Sequence, residues 1–366
     1  MHFISTKQDL IQAVNIVNRA VSTKSPMAIL AGIRFEVQED QLLVSATDLE
    51  MGIRCVTPVG SIETGAVVLP AKYITELIRH LPEGSVTMSE DRENGSVIVQ
   101  YGDSETIINC FPEEEFPEID FPSSERSTKM QESVLRDALR KVLFAVASDD
   151  RRGALTGAYF VVGADFIELV TTDLHRMAWC KILLAERNSK EIKVIVPGKA
   201  LNELSKIIGK SGSTVDITFN ESNVVFTTDN ISFITRLLNG KFPDYKKVIP
   251  ERDSTRIRVR KQDLQEATER AGIFSTEDNS SIKMVVSDGA ISITDTAIDG
   301  RVYEEIAAEL DGEETEIGLN VYYLNELLRV IDSEVVVIEF YGPVSPCVFK
   351  QEGTDNYYSL IVPVKV

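Results

Sequence analysis

The chain is poor in the residues that build metal and redox centres. It has three histidines, His2, His80 and His175, and four cysteines, Cys55, Cys110, Cys180 and Cys347, none of them in a CxxC pair. Zinc-ribbon spacing is therefore excluded, and the scattered cysteines read as reduced thiols of a cytosolic protein. His175 has no HxH or HExxH partner, whereas a catalytic metal needs several converging ligands. No GxxxxGK[ST], GxGxxG or GxSxG stretch occurs, so the usual phosphate cradles and nucleophile elbow are missing. No catalytic residue, cofactor or metal is expected. No run of about 18 apolar residues is present, so no transmembrane helix is expected. The N-terminal MHFISTKQDL lacks the basic-then-apolar order of a secretory signal.

What the chain does have is a threefold repeat. LPAKYITELIRHL at 69–81 returns as VPGKALNELSKII at 196–208 and as LNVYYLNELLRVI at 319–331. VSATDLEM at 44–51 returns as VTTDLHRM at 170–177, with a fainter echo, SITDTAID, at 292–299. FPEID at 116–120 returns as FPDYK at 242–246. The period is roughly 125 residues, the size of a domain rather than of a solenoid unit. Linkers are expected near EIDFPSSERS and VIPERDSTR, giving domains 1–125, 126–250 and 251–366.

Six segments carry helical periodicity: 7–19, 72–81, 130–142, 199–210, 261–271 and 322–331. In the first, Leu10, Ile11, Val14 and Val17 form one apolar face, Thr6 with Asp9 resembles a capping box, and Gln8, Gln12, Asn15 and Asn18 lie opposite. Ile74, Leu77, Ile78 and Leu81 repeat that face, as do Leu201, Leu204 and Ile208, and Leu324, Leu327, Leu328 and Ile331. Between the helices the period changes to two, in stretches such as QLLVSATDL and EVVVIEFYG, which read as strands. LPEGS, ENGS and LNGKFPDY are expected to supply hairpin turns. Each repeat thus reads as about two helices on roughly eight antiparallel strands, an α+β architecture.

The net charge of −19 argues against nucleic acid when taken as a sum. Its distribution does not, because the six helical segments hold about 13 bases and 9 acids, near +4 together, and leave about −23 for the rest. This split fits either ordinary helix surfaces, where Lys and Arg are good formers, or a basic face set against an acidic one. Asp48 and Asp173 likewise have two readings: metal or hydrolase acids, the latter beside His175, or turn residues that cap backbone amides.

In this order and spacing, ATDLEM at 46–51, TTDLHRMA at 171–178, GKFPDYKKVIP at 240–250 and SLIVPVKV at 359–366 resemble the bacterial DNA polymerase III beta subunits, the sliding clamps, over the whole length. The resemblance implies a non-enzymatic processivity factor: a head-to-tail homodimer of six similar domains, with helices lining a hole and sheets outside. Twelve helices at about 9–10 Å spacing close a circle near 35 Å, which leaves roughly 25 Å for duplex DNA. Candidate DNA contacts, sequence-independent, are Lys24, Lys72, Arg79, Arg136, Arg140, Arg151, Arg152, Lys199 and Lys206.

The resemblance also implies a pocket for a short linear peptide carried by the polymerase III catalytic subunit, clamp-loader subunits, other polymerases and repair proteins. Its wall would comprise Leu155, Thr172, Leu174, His175, Arg176, Met177, Pro243, Lys247, Val248, Asn320, Tyr323, Val344, Pro346, Val362, Pro363, Val364, Lys365 and Val366. Plain core packing is the other reading of its aliphatic members. Leu174 stands where many relatives have glycine, Lys247 and Lys365 where arginine is common, and Val362 and Val364 where methionine is. An aromatic found elsewhere is missing near Asp278 and Asn279. The ring contact would use Ile108, Ile273 and Phe274. Two alternatives stay open, a three-domain scaffold that does not encircle DNA and a metal-dependent hydrolase built on Asp173 and His175.

Overall fold

In the computed structural model, residues 1–124, 126–188, 191–209, 212–250, 255–276, 280–298 and 300–365 are described. Among these residues six α-helices form: α1 (Lys7–Val17), α2 (Ala71–His80), α3 (Glu132–Val142), α4 (Gly198–Ile207), α5 (Lys261–Ala271) and α6 (Val321–Val330). Each repeat contributes two. α1 starts where Thr6 accepts a hydrogen bond from the Asp9 amide at 3.1 Å, which satisfies one of the amides left free at a helix start. It buries Leu10, Ala13, Val14 and Val17, each aliphatic chain contributing about 1.5–3 kcal/mol. Ala13 takes the place expected for Ile11, which stays partly exposed. α3 begins two residues later than its periodicity suggests, because Ser127–Gln131 is a strand. Lys210 lies outside the described residues, and Arg19 falls in a 3-10 turn. The helices therefore carry eleven bases against nine acids, near +2 rather than +4.

The chain divides into two compact units, Met1–Ser133 with Lys206–Leu237, and Val134–Ser205 with Leu238–Val366. This division does not follow the repeats, since the middle repeat gives strands to both units. In the first unit an eight-stranded antiparallel sheet joins Met51–Pro58 of the first repeat to Ile231–Arg236 of the middle one. A five-stranded sheet ends on the edge strand Ser104–Asn109. α1 packs on α2 and on the strands Gln41–Thr47 and Met51–Pro58.

The second unit holds a twelve-stranded sheet. Within it Arg176–Leu183 pairs with Tyr357–Ile361, joining the middle repeat to the last, in the register Arg176↔Ile361 to Cys180↔Tyr357. Gly300–Asp311 spans a bend, pairing with Ala290–Ala297 through its first part and with Thr255–Arg260 through its end. α5 packs on α6 and on Gly300–Asp311.

Of the expected hairpin turns, only ENGS closes one, between Ser85–Asp91 and Ser96–Tyr101. LPEGS joins α2 to a strand, and LNGKFPDY leaves the sheet as a connecting strap. Glycine and proline mark the end of an element without fixing the type of the next one. All four cysteines are free thiols, and burial pushes those of Cys55, Cys110 and Cys180 up to about 11. No helix of the described residues is long and apolar enough to cross a membrane.

Two ion clusters stiffen the second unit. Asp332 accepts from Arg140 at 2.8 Å and from Lys141 at 3.0 Å. The buried Glu339 accepts from Arg256 (3.0 Å), Lys350 (2.8 Å) and the Tyr341 hydroxyl (2.8 Å). Burial pushes both carboxyls up, but these donors outweigh it and hold Asp332 below its ordinary 3.8 and Glu339 below its ordinary 4.5. Carboxyls lowered on folding contribute stability above their ordinary values, and that stability is lost as pH falls through the lowered ones. Urea stability should thus be flat from about pH 7 to 5 and fall below about pH 4, and the fall should be shallower in an Asp332→Asn, Glu339→Gln double variant.

Candidate peptide groove and nucleic-acid interface

The TTDLHRM segment forms a hairpin. Asp173 Oδ1 accepts from the amides of His175 and Arg176, both at 2.9 Å. Thr172 Oγ1 donates to the Arg176 carbonyl at 2.7 Å and accepts from the Leu174 amide at 3.0 Å. Asp173 is therefore a turn cap, its carboxylate filled by backbone donors and by Arg176 Nε at 3.0 Å. Leu174 sits at φ 75, a left-handed conformation that costs a β-carbon-bearing residue about 1–2 kcal/mol, and 58% of its surface is exposed.

Beside this hairpin the chain's end is laid down by the same ladder. The Val362 amide donates to the His175 carbonyl at 2.8 Å, and the Val364 amide to the Gly318 carbonyl at 2.9 Å. The tail thus runs from the hairpin of the middle repeat to the strand Thr315–Asn320 of the last. Asn320 caps α6, accepting from the amides of Tyr322 (2.9 Å) and Tyr323 (3.2 Å). The buried Arg176 guanidinium lies 4.4 Å from the centre of the Tyr323 ring and 5.4 Å from that of Phe144, and it also pairs with Glu326. A buried cation needs such partners, because its desolvation costs several kcal/mol.

A third side is the strap carrying Pro243, Lys247 and Val248. Phe242 stacks on Tyr159 at 4.9 Å, and the Tyr245 hydroxyl donates to the buried Glu168 at 2.7 Å. Burial first, and Glu168 second, push the Tyr245 phenol well up, so it stays a donor. Beneath lies a core of Val170, Met177, Trp179, Val348 and Leu360.

Of the expected wall, Thr172, Arg176 and Met177 are buried, Leu174, His175, Lys247, Val248, Val344 and Lys365 are exposed, and the others are half-buried. Val344 is an outlying member at 86% exposure. Val366, Asp278 and Asn279 lie outside the described residues. A charged trough of about 630 Å³ on the last repeat, lined by Arg256, Arg258, Glu339, Lys350 and Glu352 among others, is separate from this groove. Its Arg256 and Lys350 pair with Glu339, and its Arg258 pairs with Glu352.

The first repeat carries a twin of the hairpin. Asp48 Oδ1 accepts from the amides of Glu50 (3.0 Å) and Met51 (2.7 Å), Leu49 has φ 77, and the Arg236 amide donates to the Glu50 carbonyl at 3.0 Å. Its lip is ionic, with Glu50 and Arg236 4.0 Å apart where the second copy has His175 and Val362. Gly52 replaces Met177, and a Cβ there would come within 2.7 Å of Ile119 from the FPEID strap.

All nine candidate DNA contacts are exposed. Lys24, Lys72, Arg79 and Lys206 belong to the first unit, and Arg136, Arg140, Arg151, Arg152 and Lys199 to the second. Several already have acidic partners: Arg79 pairs with Glu76, Arg151 with Asp149, Lys199 with Asp150, and Arg140 with both Asp137 and Asp332. Lys24 and Arg136 have no such partner among the described residues. On the edge strand the Ile108 side chain is buried within the chain, and Ile107, one residue earlier, is 59% exposed. Ile273 is 72% exposed, and Phe274 is half-buried against Gly300. Glu326, Phe144, Glu168 and Tyr245 escaped the sequence reading, because nothing local marks a residue that supports a groove from another element.

This geometry defines a protein built of repeated α+β domains. Descriptions of the DNA polymerase III beta subunit match its N-terminal domain at residues 1–120, its central domain at 129–244 and its C-terminal domain at 246–365. The beta sliding clamp of Staphylococcus epidermidis is 30% identical, with 100% of this chain and 99% of the relative covered. The solved sliding clamp of Bacillus subtilis is 28% identical with a TM-score of 0.96, over 100% of this chain and 99% of that one. The beta subunit of Streptococcus pyogenes is 29% identical with a TM-score of 0.95, over 100% of both chains. The chain belongs to the DNA polymerase III beta subunit family. It is a processivity factor of DNA replication and not an enzyme.

The left-handed leucines can be tested directly. Leu174→Gly relieves about 1–2 kcal/mol of backbone strain against about 0.5–1 kcal/mol of added chain entropy and a little lost burial. It should leave urea stability unchanged or raise it by up to about 1 kcal/mol. A marked loss of stability would contradict strain at this turn.

Proposed function

We propose that two copies of this chain close head to tail into a ring around duplex DNA, and that the groove beside the C-terminal tail tethers replication and repair proteins to it. The partners are those expected from the sequence: the DNA polymerase III catalytic subunit, clamp-loader subunits, and other polymerases and repair proteins carrying a clamp-binding peptide. The location is the cytoplasm, on the nucleoid. The three-domain division at 1–125, 126–250 and 251–366 is part of the same reading, as are the nine DNA contacts and the groove wall.

The observation that carries the ring is a pair of open sheet edges. Among the described residues, Ser104–Asn109 is bonded on one side, to Ser96–Tyr101. The 300–307 part of the long strand is likewise bonded on one side there, to Ala290–Ala297. An exposed edge is a template for another strand, and a heterologous contact that closes after two copies makes a ring. Ile108, Ile273 and the half-buried Phe274 are the proposed contact, and the exposed Ile107 adds apolar surface beside them. For the groove, the supporting observation is the convergence of hairpin, tail, strap and α6 cap, with aliphatic walls and a few fixed polar groups, as suits an extended peptide.

Encirclement holds DNA by topology. Lys and Arg contacts to phosphate then only need to be weak and sequence-blind. The clamp, loaded on nicked circular DNA, should be retained and should run off once the circle is linearised. Retention that is equal on linear DNA with free ends would sink the ring. A dimer of twice 40.6 kDa should be seen by light scattering in the same preparation.

Deleting residues 364–366 should abolish binding of a partner peptide while leaving the dimer intact, because it removes the Val364 bond to Gly318 and one side of the groove. Unchanged peptide affinity in a calorimetric titration would remove the groove from this chain's function.

A further inference from the structure

The turn after α5 differs from its counterparts in the other two repeats. α1, α3 and α5 have the same length, so Ile273 answers to Arg19 and Phe144, Phe274 to Ala20 and Ala145, and Ser275 to Val21 and Val146. The hairpin registers Ala46↔Ile53, Thr171↔Ala178 and Asp295↔Val302 set Asp295 against Ala46 and Thr171. The ten-residue helices α2, α4 and α6 set Tyr322 against Lys72 and Lys199.

In the last repeat these positions act together. Ser275 Oγ donates to the buried Asp295 at Oδ2, 2.8 Å away, and the Tyr322 hydroxyl donates to the Ser275 carbonyl at 2.8 Å. A buried carboxylate has to be hydrogen-bonded, so Asp295 fixes Ser275 beside the strand Ala290–Ala297. Upstream, Arg270 donates to both oxygens of Glu304 at 2.9 and 2.7 Å, which fastens the end of α5 to Gly300–Asp311. The turn is thus tied at both ends, and between the ties Ile273 stays 72% exposed. The Phe274 ring takes the room a side chain at 300 would need, since a Cβ on Gly300 would come within 2.7 Å of it. The other repeats lack this arrangement: Val21 and Val146 have no side-chain donor, Ala46 has no acceptor, and Thr171 bonds the Val142 carbonyl instead.

We infer that Asp295, through Ser275, is a positioning residue for ring closure, keeping the Ile273–Phe274 turn in the shape that meets the second protomer. This rests on the ring reading proposed above. A contact loop that is ordered before association removes the entropy of ordering it from the cost of binding. Without the tie the apolar pair is still present but no longer held at the seam, and the ring exchanges its halves faster.

The test is subunit exchange in the full-length protein, read as loss of energy transfer when a dimer carrying donor and acceptor dyes is mixed with unlabelled protein. The dimer constant comes from sedimentation across a dilution series. Asp295→Ala and Ser275→Ala should each weaken the dimer about 5–30-fold and speed exchange to match. The double variant should be no weaker than Asp295→Ala alone, because the two residues act through one bond. Asp295→Asn, which keeps an oxygen acceptor for Ser275, should restore most of the wild-type affinity. Tyr341→Phe removes a hydrogen bond to Glu339 in the same repeat, and should lower urea stability without changing exchange. Circular dichroism checks folding, and if Asp295→Ala does not fold, Ser275→Ala on the partly exposed turn carries the test. Unchanged dimer strength in Ser275→Ala overturns the inference and leaves the ring. So does a weakening that Tyr341→Phe shares, or one that Asp295→Asn also shows in full. A wild type that stays monomeric overturns the ring reading and the inference with it.

Discussion

The groove depends on one ladder, the antiparallel pairing of Arg176–Cys180 with Tyr357–Ile361. It joins a strand of the middle repeat to the final strand of the last, and so makes neighbours of a hairpin and a tail nearly two hundred positions apart in sequence. Its register is pinned by what lies on each face. Met177 and Leu360 are buried as partners, and Trp179 stacks on Tyr358 at 4.8 Å. A slip of one residue would turn each of these to the wrong side. The first unit repeats the device, with Met51–Cys55 against Ile231–Thr235. There the chain leaves the ladder into the next linker rather than ending beside it.

Around that ladder the groove is rigid where it is charged and adaptable where it is apolar. Arg176 is caught between Asp173, Glu326 and the Tyr323 ring. The strap is held from below by Tyr245 and Glu168. The lip, by contrast, consists of the exposed Leu174 and His175 and the half-buried Val362, Pro363 and Val364. Partners would meet a fixed polar frame and a pliable apolar rim. Valines at 362 and 364 narrow that pliability, since branched side chains have few rotamers.

Much of this was legible in the sequence, because it is written locally. The period of the repeat, the six helices, the Thr6 cap and the amide-capping roles of Asp48 and Asp173 all arise from residues within a few positions of one another. What was not legible depends on pairing at a distance. Ile107 and Ile108 are equally apolar, and only the parity of the edge strand says which one faces out. Arg140 reads as a free basic residue on a helix until Asp332, from beyond α6, is seen to claim it. The LNGKFPDY stretch has the composition of a turn, and its role as a strap is fixed by Tyr159 and Glu168. Arg152 reads as one more loop cation, and its bond to the Asp173 carbonyl, 21 positions on, exists only once the hairpin has folded beside the loop.

The twin hairpins carry a consequence for valence. Their turn hydrogen bonds are the same, and the two copies differ in a few side chains: Glu50 against His175, Gly52 against Met177, Arg236 against Val362. Repetition therefore serves the two kinds of ligand unequally. In the proposed ring a dimer would offer six similar domains to a duplex that has no preferred orientation, but only two grooves of the middle-repeat kind to its protein partners. Enzymes sharing such a ring would take turns at two berths, and succession among them would be set by competition for those berths rather than by room on the ring.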